Sequence, residues 1–93
     1  MMKASARHLL VQSESECQQI KKDITEGKIT FEEAARKHSL CPSGARGGDL
    51  GTFSQGQMVP EFDRVVFNDE LHKVHGPVQT QFGYHLLEIT SRG

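Results

Sequence analysis

Apolar and polar positions along the chain fall into short blocks whose spacing predicts a series of elements. Ala6 to Val11, ARHLLV, is a mostly apolar run bounded by polar residues and reads as a buried strand. Its alternation puts His8 and Leu10 on one face and Leu9 and Val11 on the other. Ser13 stands three residues before Glu16, the capping-box spacing, and Cys17, Ile20 and Ile24 follow on one helical stripe that stops at Gly27. The signal recurs at Thr30 and Glu33, where Phe31, Ala34, Ala35 and His38 lie at i, i+3, i+4 and i+7 of a second helix running to about Ser39. Pro42 disfavours helical backbone at Cys41, so the chain leaves the helix there.

A glycine-rich stretch follows, CPSGARGGDLG from Cys41 to Gly51. Beyond it, Leu50 to Phe53 reads as a short strand, and Pro60 opens a third helix that carries Phe62, Val65 and Val66 and ends near Asn68. Asn68 to His75 has no clear period. Gly76 to Gln79 reads as another short strand, with Thr80 and Gln81 at a turn. Phe82 to Thr90, FGYHLLEIT, is the strongest strand signal and places His85, Leu87 and Ile89 on one face. The order β, α, α, loop, β, α, β, β predicts an α+β sandwich. In it the first and last strands can pair, which would bring His8 beside His85.

Length and charge narrow the picture. Ninety-three residues suit a single domain, residues 1–93, burying roughly 65% of its unfolded surface. That leaves room for one modest core and no second. Eleven Lys and Arg against twelve Asp and Glu give a net charge of -1, with the cations scattered singly or in pairs, so no basic stripe for nucleic acid is present. No apolar run approaches the roughly 20 residues of a membrane span, and the start MMKASARHLL lacks the long apolar region of a signal peptide. The expectation is a cytoplasmic monomer with no nucleic-acid or membrane partner, in which Cys17 and Cys41 remain free thiols.

The candidate chemistry lies in His8, His85, Cys41 and the glycine loop. A strand histidine is either a core side chain with satisfied hydrogen bonds or a functional group. A metal site is poorly supported, because no third ligand lies at a fixed short spacing from either histidine. Cys41 could act as a nucleophile with a histidine base, although no local cysteine-protease motif surrounds it. GARGGD differs from a phosphate-binding loop in lacking the Lys, and Asp49 would repel a phosphate. Glycines at this density supply tight turns or close backbone approach, so the loop reads as the wall of a binding site.

HLLV at His8 to Val11, RGGDLG at Arg46 to Gly51, GQMVPEF at Gly56 to Phe62, VVF at Val65 to Phe67, GPV at Gly76 to Val78 and FGYHLLEI at Phe82 to Ile89 occur together. In this order they resemble the parvulin family of peptidyl-prolyl cis-trans isomerases. With HSLCPSG before the glycines, the resemblance is strongest to small single-domain bacterial members. It implies an FKBP-like α+β fold of βα3βαβ2 order, a four-stranded antiparallel sheet surrounded by helices. It also implies rotation about Xaa-Pro bonds of polypeptide substrates, with no cofactor and no metal. His8 and His85 would be the paired histidines of adjacent central strands, and Cys41 the polar residue facing the isomerising bond. Thr80 would hydrogen-bond into the histidine pair. Leu50, Met58 and Phe62, with Phe82, would seat the proline ring. Phospho-directed relatives carry a basic cluster after the first strand, where this chain has QSESE, Gln12 to Glu16. An uncharged or apolar residue before proline is therefore expected. The alternative function is a parvulin-shaped module that captures extended apolar segments without turnover.

Overall fold

Both helix-start signals are used, to different degrees. In the computed structural model, which describes residues 2–93, Thr30 and Glu33 form the full reciprocal capping box that opens α2, Phe31–His38. Ser13 accepts from the Glu16 amide and so caps α1, Glu14–Thr25. Strand β1, Lys3–Val11, precedes them. After α2 a short 3-10 helix, Pro42–Arg46, leads into β2, Asp49–Ser54. Then come α3, Pro60–Val66, with Pro60 in its first turn, β3, Val74–Thr80, and β4, Gly83–Arg92.

The four strands form one antiparallel sheet in the order β2-β1-β4-β3, so the first and last strands are its centre, as expected. Counting the 3-10 turn as the third helix gives the βα3βαβ2 order. The strands are longer than their apolar runs. Ala4 pairs with Arg92, Ser5 with Ser91 and Lys3 with Ser54, all through backbone groups that hydrophobic patterning does not register. For the same reason Thr80 belongs to β3 rather than to a turn.

The expectation of one core is corrected to two buried clusters. Leu9, Val11 and Leu86 pack under Cys17 and Ile20 of α1 and Phe31, Ala34 and Ala35 of α2. Ala4 and Ala6, on the opposite face of β1, pack with Phe53, Val66 and Phe67 towards α3. Because successive strand side chains point to opposite faces, two central strands can line both clusters, each too small to stand alone. Beyond Ala6 on the α3 side, β1 and β4 present His8, Leu10 and His85, and there the sheet is covered by a cleft.

Candidate active site

Strand register brings the two histidines together. His8 lies opposite Leu87 and Leu10 opposite His85, so the histidines are diagonal neighbours on one face. Their rings are nearly parallel, 18° apart with centroids 5.5 Å from each other, and their Nδ1 atoms are 3.4 Å apart. The outer nitrogens are also engaged. His8 Nε2 is 3.0 Å from Ser43 Oγ, and His85 Nε2 is 2.7 Å from Thr80 Oγ1. Thr80 Oγ1 in turn accepts from the Phe82 amide at 3.1 Å. A polar chain thus runs from the 3-10 helix across both central strands to the β3-β4 turn. With one proton on each ring it can be directed in either sense, and all four ring nitrogens are partnered.

The glycine loop explains how Ser43 reaches His8. The Gly48 amide donates to the Ser43 carbonyl and the His8 amide donates to the Gly48 carbonyl, each at 2.9 Å. Gly48 has φ +85°, and a Cβ there would overlap the His8 carbonyl oxygen. Only glycine allows this contact between loop and strand. The loop that reads as a site wall in the sequence therefore acts by docking the 3-10 helix on β1.

Burial sets the charge state of the pair. His8 and His85 are 5% and 4% exposed. Removal from water, and then the neighbouring His85, lower His8 from 6.5 to about 4. Removal from water also lowers His85 to about 4, with Glu61 pulling weakly the other way. Both imidazoles are neutral at physiological pH.

Above them lies a cleft of about 340 Å³ with walls that are almost wholly apolar. Phe62 lines its buried end and meets both histidine rings edge-on, at 5.4 Å from His8 and 4.6 Å from His85. Met58 and Val59 flank Phe62, Cys41 and Pro42 form the wall on the loop side, and Leu10, Leu40 and Phe82 complete the rim. Of the residues expected at the site, His8, His85, Cys41, Met58, Phe62 and Phe82 line this cleft, and Thr80 stands behind it, holding His85. Leu50 is a correction: instead of lining the cleft it packs with Met58 against the Ala4, Ala6 and Phe53 cluster, because β2 pairs with Lys3 to Arg7 of β1 and so sets Leu50 beside that cluster. Phe82 is also 56% exposed, a rim residue rather than a closed seat. Sequence reasoning missed Ser43, Leu10, Leu40, Pro42 and Val59. Leu10 was findable, since it shares a strand face with His8. Ser43 lies in the five-residue 3-10 helix and Leu40 outside any helix or strand, and neither stretch is long enough for periodicity to carry a signal. Among the described residues no three His, Cys, Asp or Glu side chains are grouped as metal ligands.

A family model described as Rotamase, PPIC-type PPIase domain, matches residues 3–91. The chain belongs to the parvulin family. Parvulins are peptidyl-prolyl cis-trans isomerases, and this parvulin domain is similar to foldase protein PrsA of Exiguobacterium sibiricum, with 41% identity over 98% of the chain. The match covers 30% of that protein, so the chain spans about a third of the length of the curated relatives it resembles. The crystal structure of PrsA from Bacillus anthracis superposes with a TM-score of 0.94 at 36% identity, over 99% of this chain and 42% of that one. The solution structure of NmPin, the parvulin of Nitrosopumilus maritimus, superposes with a TM-score of 0.86 at 29% identity, over 98% of both chains.

Proposed function

We propose that the cleft accelerates rotation about Xaa-Pro peptide bonds in unfolded or flexible chains by binding the twisted amide without covalent chemistry. The observation that carries this reading is the combination of an apolar cleft and a floor whose four imidazole nitrogens are all partnered. Rotation crosses a barrier of roughly 18–20 kcal/mol and takes tens to hundreds of seconds unaided, and it breaks no bond. The enzyme therefore needs to bind the transition state better than either planar isomer.

In the twisted amide conjugation is lost, the carbonyl oxygen carries less negative charge and the nitrogen becomes pyramidal. Apolar walls disfavour the more charge-separated planar form, so Met58, Phe62 and their neighbours act on the barrier itself as well as on binding. The histidines hold the floor. Phe62 rests edge-on against both rings, and the chain from Ser43 to Thr80 fixes the ring planes. Cys41 presents a small polar group to the cleft. With His8 Nε2 committed to Ser43, neither histidine offers Cys41 a free base, which favours positioning over nucleophilic attack.

The test is a cis-to-trans assay on short Xaa-Pro peptides, with Cys41→Asp measured beside the wild type. Acceleration should persist in the aspartate variant. Its complete loss in a folded Cys41→Asp protein would point to a thiol nucleophile. A second reading, capture of extended apolar segments without turnover, is favoured by the exposure of Leu40 and Phe82. It would replace the first if peptides bound the wild type with no change in isomerisation rate.

A further inference from the structure

Four large apolar side chains stand exposed among the described residues, and two of them, Leu40 at 60% and Phe82 at 56%, flank the same cleft. Both are anchored to the end of β1. The Leu40 amide donates to the Leu10 carbonyl at 2.8 Å, and the Gln12 side chain donates to the Phe82 carbonyl at 3.0 Å. Gly83 brings the turn still closer: a Cβ there would lie 2.6 Å from the Val11 carbonyl oxygen. Two exposed apolar side chains are thus carried on pinned backbone, with Leu10 also lining the cleft. The segment just beyond β1, Gln12 to Glu16, holds no Lys or Arg and two carboxylates.

We infer that Leu40 and Phe82 form a subsite, beside the proline seat, that closes over an apolar side chain on the residue preceding proline. This rests on the isomerase reading and goes further by naming the residues that set its specificity. The buried end at Phe62 and Met58 encloses a ring, while the open end at Leu40 and Phe82 suits a side chain that is only partly covered. Discrimination of the twisted amide requires a grip on both sides of the rotating bond. The residue after proline moves with the ring, so holding it adds nothing to that discrimination; the residue before proline is the one that swings. Its Cα is one peptide step of about 3–4 Å from the seat, which places its side chain at the rim. A carboxylate or phosphate there would meet Leu40 and Phe82 with no cation at hand and would lose hydration without compensation.

The experiment measures kcat/KM for two peptide series, one varying the residue before proline as Leu, Gly, Glu and phosphoserine, the other varying the residue after it. The wild type should favour Leu over Gly before proline by about tenfold and reject Glu and phosphoserine more strongly. In Leu40→Ser and in Phe82→Ser the Leu:Gly ratio should fall to near one, whereas Phe82→Leu should restore most of it. The series after proline should keep its pattern in every variant. Both side chains are exposed, and matching melting curves will show that the variants fold. A wild type inactive on all peptides would remove the isomerase reading and the subsite with it. An active wild type whose Leu:Gly ratio survives both serine variants, or variants whose rates fall equally on every peptide, would overturn the subsite and leave the isomerase standing.

Discussion

Strands β1 and β4 carry Leu9, Val11 and Leu86 on one face and His8, Leu10 and His85 on the other, and the two faces have different fates. The first is sealed beneath α1 and α2, with nothing but apolar side chains and one buried thiol. The second is left open, with α3 covering one end and a cleft over the histidines. Adjacent residues of the same strand therefore serve opposite ends. Leu9 contributes burial, while His8 contributes a flat, neutral, hydrogen-bonded floor and requires Ser43 and His85 to satisfy it. A thin sheet gains stability from one side and presents function on the other, so substitutions on the two sides should be separable.

The largest expected effect breaks that comparison directly. Leu9→Ala, in the sealed cluster, should lower unfolding free energy by about 2–5 kcal/mol in urea titration while the surviving folded fraction keeps its isomerase rate. Phe62→Ala, in the cleft, should lower kcat/KM about ten- to a hundredfold, because it removes the ring that seats proline and braces both imidazoles. If the folded fraction of Leu9→Ala lost turnover as severely as Phe62→Ala, the faces would not be independent.

A smaller effect sharpens the comparison by pH. His8 and His85 sit near 4 when folded and near 6.5 when free. Below pH 6.5 the unfolded chain binds protons that the folded chain does not, so stability should fall as pH drops from about 6.5 towards 4, by on the order of a few kcal/mol for the pair. The sealed face gives the opposite limb. Burial pushes the Cys17 thiol from 9.0 up to about 11, opposed by Lys21 and reinforced by Glu16 and Glu14. Above pH 9 the unfolded chain loses a proton that the folded one keeps, and stability should fall again as pH rises to about 11. Denaturation midpoints from pH 4 to 11 would show both limbs, with the alkaline one flattened in Cys17→Ala. Turnover should be level from pH 6 to 8, where an ordinary histidine titrates; a step near 6.5 would contradict neutral, buried imidazoles.

The smallest effect needs no variant. Cys17 is fully buried and Cys41 partly open to the cleft, both as free thiols. An aromatic disulfide reagent should modify one thiol in the folded protein and the second only on unfolding. Two thiols reacting together under native conditions would mean that the α1 side is not sealed.

Local chemistry made much of this legible in the sequence. The alternation of ARHLLV places Leu9 and His8 on opposite faces whatever the strand pairs with, and the Ser13 and Thr30 caps mark where the first two helices begin. The six motifs in order marked the family. What depends on distant parts of the chain was not legible. The full length of the strands rests on backbone pairing of polar residues such as Ser5 with Ser91, which leaves no hydrophobic trace. The contact of Ser43 with His8 depends on Gly48 fitting against the β1 backbone, and the place of Leu50 beside the Ala4 and Ala6 cluster depends on which stretch of β1 pairs with β2. Periodicity reports which face a side chain takes on its own element. Only the docking of elements decides what that face meets, and here it made one face of two strands a core and the other the floor of a cleft.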